Sequence, residues 1–108
     1  VKLPTEIFGD VVVVHTPEEV GGDTAGLLER FLTSQERQQV IVDLDGTETL
    51  DSLGLETLLT AQEALRAMGG DLKISTSNPA NRKILEITRL DQQLEVYPTV
   101  LDAVRSFT

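Results

Sequence analysis

The 108-residue chain carries 9 Lys and Arg against 18 Asp and Glu, a formal net charge of -9, which repels nucleic-acid phosphates and anionic lipid surfaces and suits a basic protein partner. It has no cysteine and one histidine, His15, so disulfides, thiolate sites and His-rich metal sites are excluded, no cofactor is implied, and a reducing, cytoplasmic compartment is expected. No apolar run approaches the ~20 residues that span a bilayer, the opening six residues lack the apolar core of a signal peptide, and the length fits a single domain over residues 1–108.

Glu6-Ile7-Phe8 can pair with the β-branched run Val11–Val14 through a Gly9-Asp10 turn, and the unbroken valines predict a strand buried on both faces. From Thr24 to Leu32 the residues Ala25, Leu28 and Leu32, with Leu27 and Phe31, recur at helical spacing, and Asp23 stands where an N-cap is expected. Val40-Ile41-Val42 is the next buried strand. Leu53 to Met68 reads as the longest helix, with Leu55, Leu58, Leu59 and Leu65 on one face and Gly69-Gly70 ending it. Leu72–Ser75 alternates as a strand. Asn78-Pro79 opens a third helix whose core side is Ile84, Leu85 and Ile87. Leu94–Tyr97 is the last strand, and Thr99 to Phe107 closes as a helix with Thr99 and Asp102 as a capping box. The order β-β-α-β-α-β-α-β-α predicts an α/β fold, a mixed and mostly parallel sheet of about five strands with about four helices.

Partners of open α/β sheets sit beyond the carboxyl ends of the strands, so the stretch from Asp43 to Gly54 attracts most interest. Turn and cap chemistry alone explains it in one reading: a strand ends at Asp43, Asp45-Gly46 turns, and Asp51 or Ser52 caps the long helix. A second reading is catalytic. Val42-Asp43-Leu44-Asp45-Gly46-Thr47 looks like the first motif of the haloacid-dehalogenase-type phosphohydrolases, in which Asp43 would attack phosphorus, Asp45 would move the proton, and Mg²⁺ would neutralise the phosphate. Against it, a helix and at least one strand precede the motif, only 54 residues follow Gly54, and no later acidic pair completes a Mg²⁺ site.

A third reading draws on nearly the whole chain. Val40-Ile41-Val42-Asp43-Leu44, Asp51-Ser52-Leu53-Gly54-Leu55, Gly69-Gly70, Leu72-Lys73-Ile74, Asn78-Pro79, Leu85-Glu86-Ile87 with Leu90-Asp91, and Val96-Tyr97 follow one another in the order and spacing of a STAS domain. The chain resembles that family, and in particular its anti-sigma factor antagonists. The resemblance implies a binding module rather than an enzyme. The serine after the aspartate accepts phosphate in that branch, which maps onto Ser52, and the Asp51 and Gly54 positions match. The implied partner is a serine-kinase anti-sigma factor, which itself binds Mg-ATP. The unphosphorylated domain would sequester this kinase and so free a sigma factor. Two positions depart from the pattern: Leu53 stands where a small polar residue is common, and Gly21 stands where an aspartate precedes the first helix, with Asp23 two residues on. A constitutive STAS scaffold of a transporter or signalling complex is the alternative within the fold.

The physics of a switch at Ser52 is simple. The start of a helix favours an anion, so phosphate need not unfold the domain. It adds roughly -1.5 to -2 charges in a contact surface expected to comprise Asp23, Leu50, Asp51, Ser52, Leu53 and Gly54, and a desolvated, unpaired charge there disfavours the complex. Of the two leucines, core packing suits Leu53 better than Leu50. Gly54 is expected to bring backbone close to the partner, with at most ~1 kcal/mol of stability at stake when it is replaced.

Overall fold

Four consecutive valines have apolar side chains on both sides of their strand, so this strand must be covered on both faces. The structure, a computed structural model, describes residues 3–107; Val1, Lys2 and Thr108, the ends of the expected domain, lie outside it. In chain order the strands are Thr5–Phe8 (β1), Val11–His15 (β2), Glu19–Val20 (β3), Gln39–Asp43 (β4), Thr49–Leu50 (β5), Asp71–Ser75 (β6) and Val96–Tyr97 (β7). The α-helices are Ala25–Thr33 (α1), Ser52–Ala67 (α2), Pro79–Ile87 (α3) and Val100–Arg105 (α4). The main sheet runs β1-β2-β4-β6-β7, with β1 antiparallel to β2 and every other pair parallel. This is the mixed, mostly parallel five-stranded sheet with four helices that the element order predicts.

Alternation divides the strands between two cores. Val12, Val14, Val40, Val42, Leu72 and Ile74 face Leu28 and Leu32 of α1, Leu55, Leu58 and Leu65 of α2, and Leu85 of α3. Val11, Val13 and Ile41 face the opposite way, onto Ala103 of α4 with Val100, Val104 and Phe107 around it. Lys73 is buried on this second side. Its ammonium donates to the Ser106 hydroxyl (2.9 Å) and carbonyl (3.2 Å) and lies 4.4 Å from the Phe107 ring centroid, which ties the end of α4 to the sheet. Among the described residues no helix is long and apolar enough to cross a membrane.

Helix starts follow their local chemistry. Asn78 accepts the Ala80 N–H (2.9 Å) with Pro79 as the first helical residue, and Thr99 accepts the Asp102 N–H (3.1 Å). The first helix differs from expectation. A 3₁₀ turn over Gly22–Thr24 leads into α1, and its bond is made by Thr24, whose hydroxyl donates to the Gly21 carbonyl (2.7 Å). Asp23 is exposed within that turn and is not the N-cap. Ile87, expected in the core, is 70% exposed at the last turn of α3, where Leu85 alone is fully buried. A second difference matters more for the site: β3 and β5 form a separate parallel ribbon, with Glu19 opposite Thr49 and Val20 opposite Leu50. Two-residue strands carry too little periodicity to be read from sequence.

Candidate functional site

The site grows out of the carboxyl end of β4. Asp43 is buried, and both of its oxygens are engaged: Oδ1 accepts the Asp45 N–H (3.2 Å) and the Ser75 hydroxyl (3.3 Å), while Oδ2 lies 2.7 Å from His15 Nδ1. Asp45 Oδ1 accepts the Ser77 N–H (2.7 Å) and hydroxyl (3.3 Å). The two acids that the phosphohydrolase reading needs as nucleophile and proton shuttle thus hold neighbouring strand ends together.

Beyond Asp45 the chain is locked to its surroundings by buried polar groups. Thr47 is fully buried; its hydroxyl donates to the Pro17 carbonyl (2.7 Å) and shares a short hydrogen bond with the Thr16 hydroxyl. Asn81 reaches from α3 and donates to the carbonyls of Leu44 and Thr47, each at 3.0 Å. The Glu18 carbonyl accepts the N–H groups of Glu48 (2.8 Å) and Thr49 (3.0 Å), and the Val20 carbonyl accepts that of Asp51 (3.2 Å). The β2–β3 and β4–β5 segments are therefore one hydrogen-bonded unit, which sets the start of α2 beside residues 18–23. Sequence reasoning missed Thr47 and Asn81. For Asn81 a signal existed: it lies four residues before Leu85, on the core-facing side of its helix, and a polar residue there needs buried partners.

Asp51 is the N-cap of α2. Its backbone is extended and its carboxylate accepts the Gly54 N–H (2.9 Å). The same carboxylate lies against Gly21, where any β-carbon would overlap it; Gly21 also has φ of 148°. The glycine in the aspartate position is thus explained: the Asp51 side chain fills that space. With the cap supplied by Asp51, Ser52 is free of that duty. It is the first residue of α2, it is exposed, and among the described residues its hydroxyl has no hydrogen-bond partner.

Exposure around Ser52 differs from the expectation for its leucines. Leu53, expected to be the better core candidate, is 50% exposed, while Leu50 is 7% exposed and packs in the main core. The roles are the reverse of the expectation, because Leu50 points inward from β5 and Leu53 lies off the buried side of α2. Gly54 packs inside the domain. It is buried, and a β-carbon there would fall on the Val20 carbonyl, so the glycine permits β3 to pack against the first turn of α2. Asp23 lines a shallow cleft with Glu19, Thr24, Thr49 and Asp51. Glu18, Glu19, Asp23, Glu48, Asp51 and Glu56 are all exposed on the segments that meet here, and none forms a salt bridge with a described residue. What the arrangement offers chemically is an unbonded hydroxyl and an exposed leucine within an anionic surround.

Comparison with known proteins gives concordant matches. A protein of Thermotoga neapolitana, named provisionally as an anti-sigma factor antagonist, is 23% identical over 106 residues, 94% of each chain. An anti-sigma factor antagonist from Mycobacterium paratuberculosis superposes with a TM-score of 0.84 at 29% identity, covering 97% of this chain and 92% of that one. The Bacillus cell fate determinant SpoIIAA in its phosphorylated form superposes with a TM-score of 0.70 at 17% identity, covering 99% and 100%. Residues 2–103 match the STAS domain as a family, and the chain belongs to the STAS domain family.

Proposed function

We propose that this domain is an anti-sigma factor antagonist, a protein-binding module switched by phosphorylation of Ser52, whose partner is a serine-kinase anti-sigma factor. The observation that carries this reading is the division of labour at the start of α2. Asp51 caps the helix, and Ser52 is exposed with an unbonded hydroxyl. A kinase can reach that hydroxyl, and esterifying it breaks no hydrogen bond to a described residue. Leu53 supplies apolar contact area beside it, and the surrounding acids suit a basic face on the partner. Asp23 stands at the edge of this surface. Leu50 and Gly54 support it from beneath.

A dianionic phosphate on Ser52 enters a surround that is already negative. Glu56 lies one helical turn on and Asp51 is adjacent. Against a docked partner the added charge is desolvated, and the complex dissociates while the domain stays folded. The relatives named as anti-sigma factor antagonists support the reading, as does SpoIIAA, which carries that name in its unphosphorylated structure and is also solved phosphorylated. Incubation with the kinase and Mg-ATP, followed by peptide mass spectrometry, tests it. Phosphate is expected on Ser52 and is expected to be absent from Ser52→Ala; phosphate placed on Thr49 or on any other residue refutes the assignment.

A further inference from the structure

His15 ends β2 with a carboxylate on each ring nitrogen. Nδ1 lies 2.7 Å from Asp43 Oδ2, and Nε2 lies 2.6 Å from Glu6 Oε1. A carboxylate only accepts, and a neutral imidazole has one N–H. Both contacts are hydrogen bonds only when the ring is an imidazolium donating in both directions. We propose that His15 is a proton-operated clasp that ties the edge strand β1 to the central strand β4, at the root of the loops carrying the Ser52 surface, and that releases Glu6 when the ring becomes neutral.

The topology gives such a clasp something to hold. Within the sheet β1 pairs with β2 alone, and the Glu6–His15–Asp43 bridge is a side-chain tie from it to the next strand but one. Asp43 also holds Asp45 and Ser75, and Thr16, the neighbour of His15, donates its N–H to the Asp43 carbonyl (3.1 Å). One proton therefore sits where the ends of β1, β2, β4 and β6 are joined.

Among the described residues the charged groups that face the ring are both acids: Glu6 from β1 and Asp43 from β4. β6 contributes only the uncharged Ser75 hydroxyl, through Asp43. Lys73, farther along the same face, is committed to Ser106 and Glu95. Burial acts against the charged ring. The hydrogen bonds to Glu6 and Asp43 and their charges outweigh it, so His15 holds its proton above the ordinary value of 6.5. A folded-state value above the unfolded one means that the stabilisation is complete below the unfolded value and is lost as pH rises through the folded one. The clasp thus operates on the neutral-to-alkaline side of 6.5.

On deprotonation one contact becomes lone pair against carboxylate. Asp43 has an 11% exposed side chain and further ties, whereas the Glu6 side chain is 55% exposed on an edge strand. Glu6 is the partner that leaves, and the neutral ring keeps its proton on Nδ1. Because His15 is the only histidine, its ring resonances can be followed without ambiguity in the intact chain. Proton and nitrogen NMR, followed from about pH 5 upward until the ring resonances stop moving, covers the transition. The expected result is a pKa above 6.5, two ring N–H groups in the acid form and the Nδ1–H tautomer in the basic form. Glu6→Gln should lower that pKa and reduce the melting temperature below the transition but not above it. A wild-type pKa at or below 6.5, a pKa unmoved by Glu6→Gln, or an Nε2–H neutral tautomer overturns the proposal. None of these outcomes depends on whether Ser52 is phosphorylated.

Discussion

Replacing Gly54 by alanine adds one carbon, and its effect can be worked from the structure. By helix propensity alone the change is favourable by about 1 kcal/mol, because glycine is a poor residue inside a helix. The packing says otherwise. The new β-carbon falls on the carbonyl of Val20 and against its side chain, and Val20 is 1% exposed and paired with Leu50 across the β3–β5 ribbon. Backbone on both sides leaves no flexible side-chain end to yield, so overpacking of about 1–3 kcal/mol applies. Moving β3 away also strains the bond from the Asp51 N–H to the Val20 carbonyl and, through it, the cap, with about 1 kcal/mol for the bond. The net expectation is a destabilisation of about 2 kcal/mol, or roughly 10 °C in melting temperature for a domain of this size. Gly54→Val should cost more. Thermal denaturation followed by circular dichroism measures it. A Gly54→Ala protein that melts at or above the wild-type temperature would show that propensity wins and that the contact with Val20 is not tight.

Asn81→Ala should cost about 1–3 kcal/mol, since it leaves the Thr47 carbonyl without its side-chain donor and takes from the Leu44 carbonyl one of its two, the other being the Thr47 N–H; chemical denaturation reads this directly, and a change under about 0.5 kcal/mol, the range of ordinary surface substitutions, would remove Asn81 from the support of the site. Leu53→Ala should leave stability within about 0.5 kcal/mol, because the side chain is half exposed, while weakening partner binding by about tenfold or more, as an apolar anchor at the centre of an interface does. Leu50→Ala should do the opposite in the first measurement, with a loss of about 2–5 kcal/mol from the core. Equal stability losses in the two leucine variants would contradict their placement.

Element order was the strongest signal in the sequence. Alternation of Val-rich runs with amphipathic segments requires a mostly parallel, doubly covered sheet, and Val11–Val14 and Val40–Val42 occupy its centre. That Ser52 stands at the mouth of the long helix was also legible, but the spacing left the cap open between Asp51 and Ser52, and the structure gives it to Asp51. The orientation of its neighbours was less so. Leu53 precedes Leu55 by two residues, about 200° round a helix, so the phase of α2 already argued for exposure. Leu50 gave no comparable sign, because the direction of its side chain is set by pairing with β3, a ribbon of two residues per strand. Gly54 was legible as a position for a small residue but not for its reason; what fills the space is the backbone of a segment thirty-four residues earlier. Nothing in the spacing of Glu6, His15 and Asp43 announces their contact, which depends on the register of three strands.

The account rests on a charge at Ser52 that changes binding without changing the fold. The most direct measurement is calorimetric titration of the kinase partner into unmodified domain and into domain stoichiometrically phosphorylated on Ser52, with a melting curve for each form. Because Asp51 and not Ser52 supplies the helix cap, the two forms should melt within about 1 kcal/mol of one another, the scale of a charge near a helix N-terminus. The phosphorylated form should bind at least about a hundredfold more weakly, the cost of desolvating an unpaired charge being several kcal/mol. Equal affinity of the two forms, or a phosphorylated domain that no longer folds, would contradict a switch that acts through the contact surface.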